Sequence, residues 1–436
     1  MNSFLITSMA RFIVEGGHRL SGSITPSGNK NEALPVLAAL LLTAEPVVLN
    51  NIPKIRDTTI MCELLTSLGV RITELGAHQL RCDAATLSSS TPEFGKASQM
   101  RGSFLLAAPL LARFGQTNLP APGGDKIGLR PVSTHLQALR GLGAWIETDG
   151  EDNIYRMQSS GFHGTDLHLD EASVMATENA LMAAVLASGT TTIYNAACEP
   201  HVQGLCYFLN TLGANIMGIG TNLITVAGVS RLHGGEYTLQ PDHIEVGSFI
   251  GLAAVTRSEL RIRNAAVPHL RMTRMMFERL GVDTCVKGED LHVSGDQKLT
   301  VQADTPGGIP KIDDGPWPAF PADLTSIMTV TATQCRGAVL IFEKMFESRL
   351  FWVDKLISMG AQIILCDPHR AVVSGPAPLH GALVSSPDIR AGMALLIAAL
   401  GARGTSEIQN VNQIDRGYER IDERLNAIGA RIQRLD

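Results

Sequence analysis

AALLLTAEPVVLNNIPKIRDTTIMCELLTSLGVRI, residues 38–72, is the passage whose reading decides the fold. It starts as the end of an apolar helix, passes a turn and becomes the strand Val47–Leu49. After a loop it enters a second helix, with Met61, Leu64, Leu65 and Leu68 at helical spacing, which stops at Leu68-Gly69 ahead of another strand. The same order returns at 184–216, AVLASGTTTIYNAACEPHVQGLCYFLNTLGANI, and again at 253–286, 330–363 and 398–432; a variant with a longer loop occupies 105–146. Each time a glycine ends the second helix: Gly69, Gly143, Gly213, Gly281, Gly360 and Gly429, roughly 70 residues apart. Helices commonly close with a left-handed residue, a conformation that costs glycine nothing sterically. Units of this length are too long for a solenoid repeat and too regular to be separate domains. The pattern therefore predicts an α/β protein of two domains with three units each.

Composition sets the bounds around that pattern. At 436 residues the chain exceeds what one hydrophobic core usually supports. Apolar content of 45% with 42 glycines suits closely packed small elements. A net charge of −6 gives no global attraction to nucleic acid or to an anionic membrane, so neither is expected as a partner, and any bound anion needs locally clustered bases. The seven cysteines, Cys62, Cys82, Cys198, Cys206, Cys285, Cys335 and Cys366, are scattered and form no C-x-x-C pair. That argues against a disulfide framework and a zinc site, and for a reducing compartment. Residues 1–11 lack the long apolar core of a secretory signal, and the longest apolar stretches fall short of the roughly 20 residues of a membrane span. A cytoplasmic protein, monomeric or weakly oligomeric, is expected.

Four loops depart from the plain repeat. Thr25-Pro26-Ser27-Gly28-Asn29-Lys30-Asn31 runs into an apolar helix, and a helix N-terminus beside Lys30 offers an anion site, though taken alone the stretch reads more simply as a turn with a solvated lysine. Residues 119–131, LPAPGGDKIGLRP, hold three glycines and three prolines in a connection longer than its siblings; Asp125 is their one carboxylate, either functional or a turn acid. In 317–323, WPAFPAD, the stiff aromatic-proline segment ends in Asp323. Arg349, Arg390 and Arg416 each follow a strand, where they could converge on phosphate and carboxylate groups, although Asp415–Arg420 could also be a salt-bridged helix start.

Taken in order, SGNKNEALP (27–35), PGGDKIGLRP (122–131), PAFPAD (318–323), FESR (346–349), DIRAG (388–392) and IDRGYER (414–420) on six repeats resemble the UDP-N-acetylglucosamine 1-carboxyvinyltransferase family of enolpyruvyl transferases, over Phe12 to Leu435. The resemblance implies two inside-out α/β barrel-like domains, with helices inside and sheets outside. One spans 30–240 and carries the catalytic loop; the other combines 1–29 with 241–436, and the active site lies in the cleft between them. It implies an addition-elimination reaction that moves the enolpyruvyl group of phosphoenolpyruvate to the 3-hydroxyl of UDP-N-acetylglucosamine, releasing phosphate, with no metal or other cofactor. Asp125 then marks an aspartate subtype of a loop that often carries cysteine, and supplies the general acid. Lys30, Arg130 and Arg416 would hold phosphoenolpyruvate; Asn31, Arg101 and Asp323 would contact the acceptor, Asp323 as base or orienter of the attacking hydroxyl. Pro131, Val132, Ser133, Thr134, Ser173, Val174 and Met345 would complete the acceptor site, and Arg349, Asp388 and Arg390 the closed cleft.

Departures from the family pattern fall on the nucleotide side. Ser133 stands where an acid is frequent, Met175 where glycine is usual, and Glu171 where some members have lysine. They leave a paralogue with a different nucleotide-sugar acceptor as the alternative, and an idle ligand-binding relative as the alternative from another class. The aspartate subtype also generates a prediction. Epoxide inhibitors of the family alkylate the loop thiolate, for which a carboxylate is a poor substitute. The chain is expected to resist fosfomycin, with Asp125→Cys gaining sensitivity while keeping activity; covalent mass addition at Asp125 on fosfomycin treatment contradicts this.

Overall fold

The computed structural model describes residues 10–125, 127–150, 152–303 and 305–435; the leader expectation for residues 1–11 falls almost wholly outside them. Six helices are apolar nearly all round and are therefore buried: α1 (Lys30–Ala39), α2 (Ala107–Phe114), α3 (Val174–Ala184), α4 (His243–Val255), α5 (Thr325–Ala332) and α6 (Ile389–Gly401). Every residue of α4 is buried, as is 389–400 of α6. Helices α1 and α2 pack against α3, and α4, α5 and α6 pack against one another. No helix among the described residues is long and apolar enough to cross a membrane.

Six sheets wrap these helices, one per repeat. Their strands alternate exposed and buried residues, as in Glu259–Ile262 and Thr405–Gln409, which is the pattern of a sheet with one wet face. In five sheets the first strand of the repeat is flanked by a parallel strand from elsewhere, for example Val47–Asn50 beside Gly235–Thr238 and Glu259–Ile262 beside Ser21–Ile24. The sheet of Gln116–Pro120, Ile154–Gln158 and Trp145–Asp149 has three strands. Among the described residues the last repeat has no third strand of its own. Arg11–Glu15 fills that place, antiparallel to both Thr405–Gln409 and Ile432–Leu435, so the N-terminus completes the C-terminal unit.

Buried apolar side chains form two separate clusters. One draws on residues 33–239, the other on residues 10–24 together with 244–432. The chain crosses between them twice, side by side: Asn29 N–H donates to Gln240 O at 2.8 Å and Asp242 N–H to Ser27 O at 2.9 Å.

All six helix-ending glycines have positive φ, from +75° at Gly281 to +106° at Gly143. At Gly281 a Cβ would also lie 2.6 Å from Thr300 N and 2.8 Å from Thr300 O, whereas at Gly404 (φ +89°) it would meet nothing within 4 Å. Gly281→Ala therefore meets both strain and a backbone clash, and is expected to cost about 2–3 kcal/mol, against about 1 kcal/mol for Gly404→Ala. Thermal unfolding of both variants checks this; equal losses would show that the clash is relieved by backbone movement.

Candidate active site

A cavity of about 350 Å³ opens between the two clusters and is lined by residues from both. Of the residues singled out from sequence, it collects Lys30, Asn31, Arg101, Asp125, Arg130, Pro131, Ser173, Val174, Asp323, Met345, Arg349, Asp388, Arg390 and Arg416. Val132, Ser133 and Thr134 do not line it. Here the chain turns into the outer helix Ser133–Gly141: Val132 packs into the first apolar cluster, Ser133 faces solvent, and Thr134 is buried with its hydroxyl donating to Asp170 at 2.8 Å. These three leave the list of cavity contacts. Lys126 lies outside the described residues.

Lys30 is the first residue of α1, but the helix amides there are not free for an anion. The Asn29 side chain accepts from Asn31 N (2.9 Å) and Glu32 N (3.2 Å), and Asp242 accepts from Lys30 N (3.4 Å). The anion site expected at this helix terminus is thus reduced to the ammonium of Lys30. The uncapped helix start on the cavity is instead that of α3, where Ser173 makes no side-chain cap and Val174 and Met175 line the wall.

Asp57 was not foreseen. An acid in the first turn of the outer helix Arg56–Ser67 reads in sequence as an ordinary dipole-balancing residue. In the structure it is 3% exposed and joins the halves: its carboxylate lies 3.1 Å from Lys30 Nζ and 3.0 Å from Arg416 Nε. Burial pushes its pKa up, but the charges of Lys30 and Arg416 outweigh that and hold it below the usual carboxylate range. Arg416 also bonds Asp125 through Nη1, so a chain of alternating charges runs Lys30–Asp57–Arg416–Asp125.

The loop of Asp125 is braced from below. Arg130 Nη2 donates to Asp125 O at 2.6 Å, and Arg101 donates to Arg130 O (2.7 Å) and Pro131 O (3.1 Å). Burial among cations lowers both arginines, Arg101 to about 10. Across the cavity Asp323 accepts from Arg349 Nη2 at 3.1 Å and from Arg390 Nε and Nη2 at 3.2 and 2.9 Å. Burial raises the Asp323 carboxyl, yet Arg390, Arg349 and Lys30 overcome this and drive it far below the usual range. Asp388 caps α6 by accepting from Arg390 N and Ala391 N, which fixes the Arg390 backbone. The back wall is less charged: burial lowers His201 and His243 to about 3, and pushes Glu178 and Glu199 upward. Among the described residues no group of His, Cys, Asp and Glu could hold a metal ion.

Removing the Asp57 charge leaves two buried cations partly uncompensated. Asp57→Asn is expected to lose about 3 kcal/mol of stability, and an added anion such as phosphoenolpyruvate to raise its melting temperature more than that of the unmodified chain. Because the folded pKa is depressed, the contribution of Asp57 is complete above about pH 4 and lost as pH falls through the folded value, so the variant's acid limb is flatter. Calorimetric scans from pH 2 to 7 measure both; unchanged melting at pH 7 contradicts the bridge.

The sequence model of the EPSP synthase (3-phosphoshikimate 1-carboxyvinyltransferase) family matches residues 14–425. A UDP-N-acetylglucosamine 1-carboxyvinyltransferase from Bradyrhizobium diazoefficiens is 57% identical over 425 residues, covering 98% of each chain. One of the same name from Treponema pallidum is 54% identical over 97% of this chain and 99% of its own. Among solved structures, the enolpyruvyl transferase NikO from Streptomyces tendae superposes with a TM-score of 0.87 at 24% identity, covering 98% and 99% of the two chains. An EPSP synthase from Acinetobacter baumannii gives 0.74 at 17%, covering 98% and 100%. These two likenesses bear on the fold.

Proposed function

The chain belongs to the EPSP synthase family of carboxyvinyl transferases, and from that premise we propose that it transfers the enolpyruvyl group of phosphoenolpyruvate to the 3-hydroxyl of UDP-N-acetylglucosamine, releasing phosphate, in the cytoplasm, as a step of peptidoglycan precursor synthesis. The observation that carries the reading is Arg416: it comes from the second cluster's share of the chain, yet its guanidinium bonds Asp57 and Asp125 of the first, beside Lys30. An anion entering there meets Lys30, Arg130 and Arg416 at once. Residues between Lys30 and Glu199 line one wall of this cleft and residues between His243 and Arg416 the other.

Phosphoenolpyruvate takes over Arg416 from Asp125, which frees that carboxyl to turn toward C3. Asp125 then donates to C3 as the acceptor hydroxyl attacks C2. Phosphate leaves the tetrahedral intermediate as a proton is removed from C3, which returns Asp125 to its starting state. Asp323, held ionised by Arg349 and Arg390, is a weak base but a firm hydrogen-bond acceptor. It orients the hydroxyl and takes up its proton once the new C–O bond has acidified it, releasing that proton to solvent afterwards. The free start of α3 at Ser173 and Val174, with Arg101 nearby, suits the acceptor's diphosphate. The reading with a different nucleotide-sugar acceptor is not favoured, since the relatives at 54–57% identity carry the UDP-N-acetylglucosamine name.

Phosphate release from phosphoenolpyruvate and UDP-N-acetylglucosamine tests the reaction, and no release by folded protein overturns it. Asp125→Asn is expected to lose at least about 100-fold in turnover, while binding phosphoenolpyruvate at least as tightly because Arg416 is freed. Near-normal turnover removes Asp125 from the acid's role.

A further inference from the structure

The loop that carries Asp125 is braced from one half of the molecule at its base and from the other half at its tip. Its tip, Ile127-Gly128-Leu129, reaches the segment Phe346-Glu347-Ser348. Ser348 N–H donates to Ile127 O at 3.1 Å, and Leu129 N–H donates to Glu347 Oε1 at 2.7 Å. Ile127 is 4% exposed and joins neither apolar cluster, so its side chain plugs the cleft itself. Leu129, by contrast, is 84% exposed, and no side-chain packing holds that end of the tip in place. Between them, Gly128 has φ +138°, and a Cβ there would lie 2.5 Å from the Glu347 carboxylate. The Leu129 amide in turn holds the Glu347 carboxyl below its usual range.

We propose that Glu347 is a positioning residue for the proton transfer: its carboxylate, accepting the Leu129 amide across the cleft, latches the Asp125 loop shut over bound substrate. The proposal rests on Asp125 being the proton donor. Two features make the latch more than a surface contact. It couples the acid's loop to the segment that also carries Arg349, two residues on, whose guanidinium holds Asp323 on the opposite wall. Loop closure and the placing of the acceptor-side carboxylate are thereby mechanically joined. The bond is also charge-assisted and made to a backbone amide, so it depends on acceptor geometry and not on the identity of the exposed residue 129.

The experiment compares Glu347→Ala with Glu347→Gln, which keeps a side-chain carbonyl to accept the same amide. In Glu347→Ala, hydrogen exchange at the Leu129 amide is expected to accelerate about tenfold, and kcat/KM for phosphoenolpyruvate to fall about tenfold, the equivalent of one charge-assisted hydrogen bond. Glu347→Gln is expected to stay within about threefold on both readouts. An unchanged Leu129 exchange rate in Glu347→Ala, an unchanged kcat/KM, or equal damage in both variants overturns the latch. The exchange measurement reads the latch without turnover; silence of the unmodified chain in the phosphate assay counts against the reaction instead.

Discussion

Six basic side chains, Lys30, Arg101, Arg130, Arg349, Arg390 and Arg416, share the wall of one cavity, and the rest of the site is built around that charge. Burying cations without partners costs far more than any packing nearby could return. Carboxylates are therefore interleaved with them. Asp57 lies between Lys30 and Arg416, Asp125 closes the other face of Arg416, and Asp323 takes Arg349 and Arg390. The same interleaving divides the labour of the reaction. In the reaction proposed, Asp57 and Asp323, each held by two or more bonds from arginines, are fixed, whereas Asp125 hangs on the one guanidinium that an anionic substrate would take.

The architecture explains why these groups meet. Helices that are apolar on every side can only be stable inside, so the sheets are forced outward and the helix ends and connecting loops are left to line the cleft. Lys30 opens α1, Ser173 precedes α3, and Asp388 and Arg390 open α6. The double crossing at Asn29–Gln240 and Ser27–Asp242 ties the two halves at one edge. The bonds from Arg416 to Asp57 and Asp125, and from the Leu129 amide to Glu347, span the gap itself. Movement of one half against the other is thus resisted both by the Arg416 bonds, for which an anion entering the cleft would compete, and by the bond at Glu347, for which it would not.

Much of this was legible beforehand, for identifiable reasons. Repetition is a one-dimensional property, so six glycines ending six helices announced six units, and the left-handed backbone at each is local chemistry. Asp125 and Asp323 stood out because they sit in proline-rich loops that served no repeat, and Arg416 because, like Arg349 and Arg390, it follows a strand. Val132, Ser133 and Thr134 fall outside the cavity lining because a contiguous motif is not a contiguous surface. Once Ser133 starts a helix, neighbouring side chains point to core and solvent in turn.

Sequence alone determined the repeat, the two-core architecture it demands, and which loops depart from it, because periodicity, helix stops and loop composition are all set by near neighbours along the chain. Tertiary structure alone decided the partnerships. Asp57 is 359 residues from Arg416 and Glu347 is 218 from Leu129. Nothing local marks either acid, since an acid in a first helical turn or in a loop is ordinary until a distant cation or amide is folded against it. It also completed the closing of α1's start: Asn29 caps it locally, but the bond from Lys30 N to Asp242 requires the second crossing of the chain to lie alongside the first.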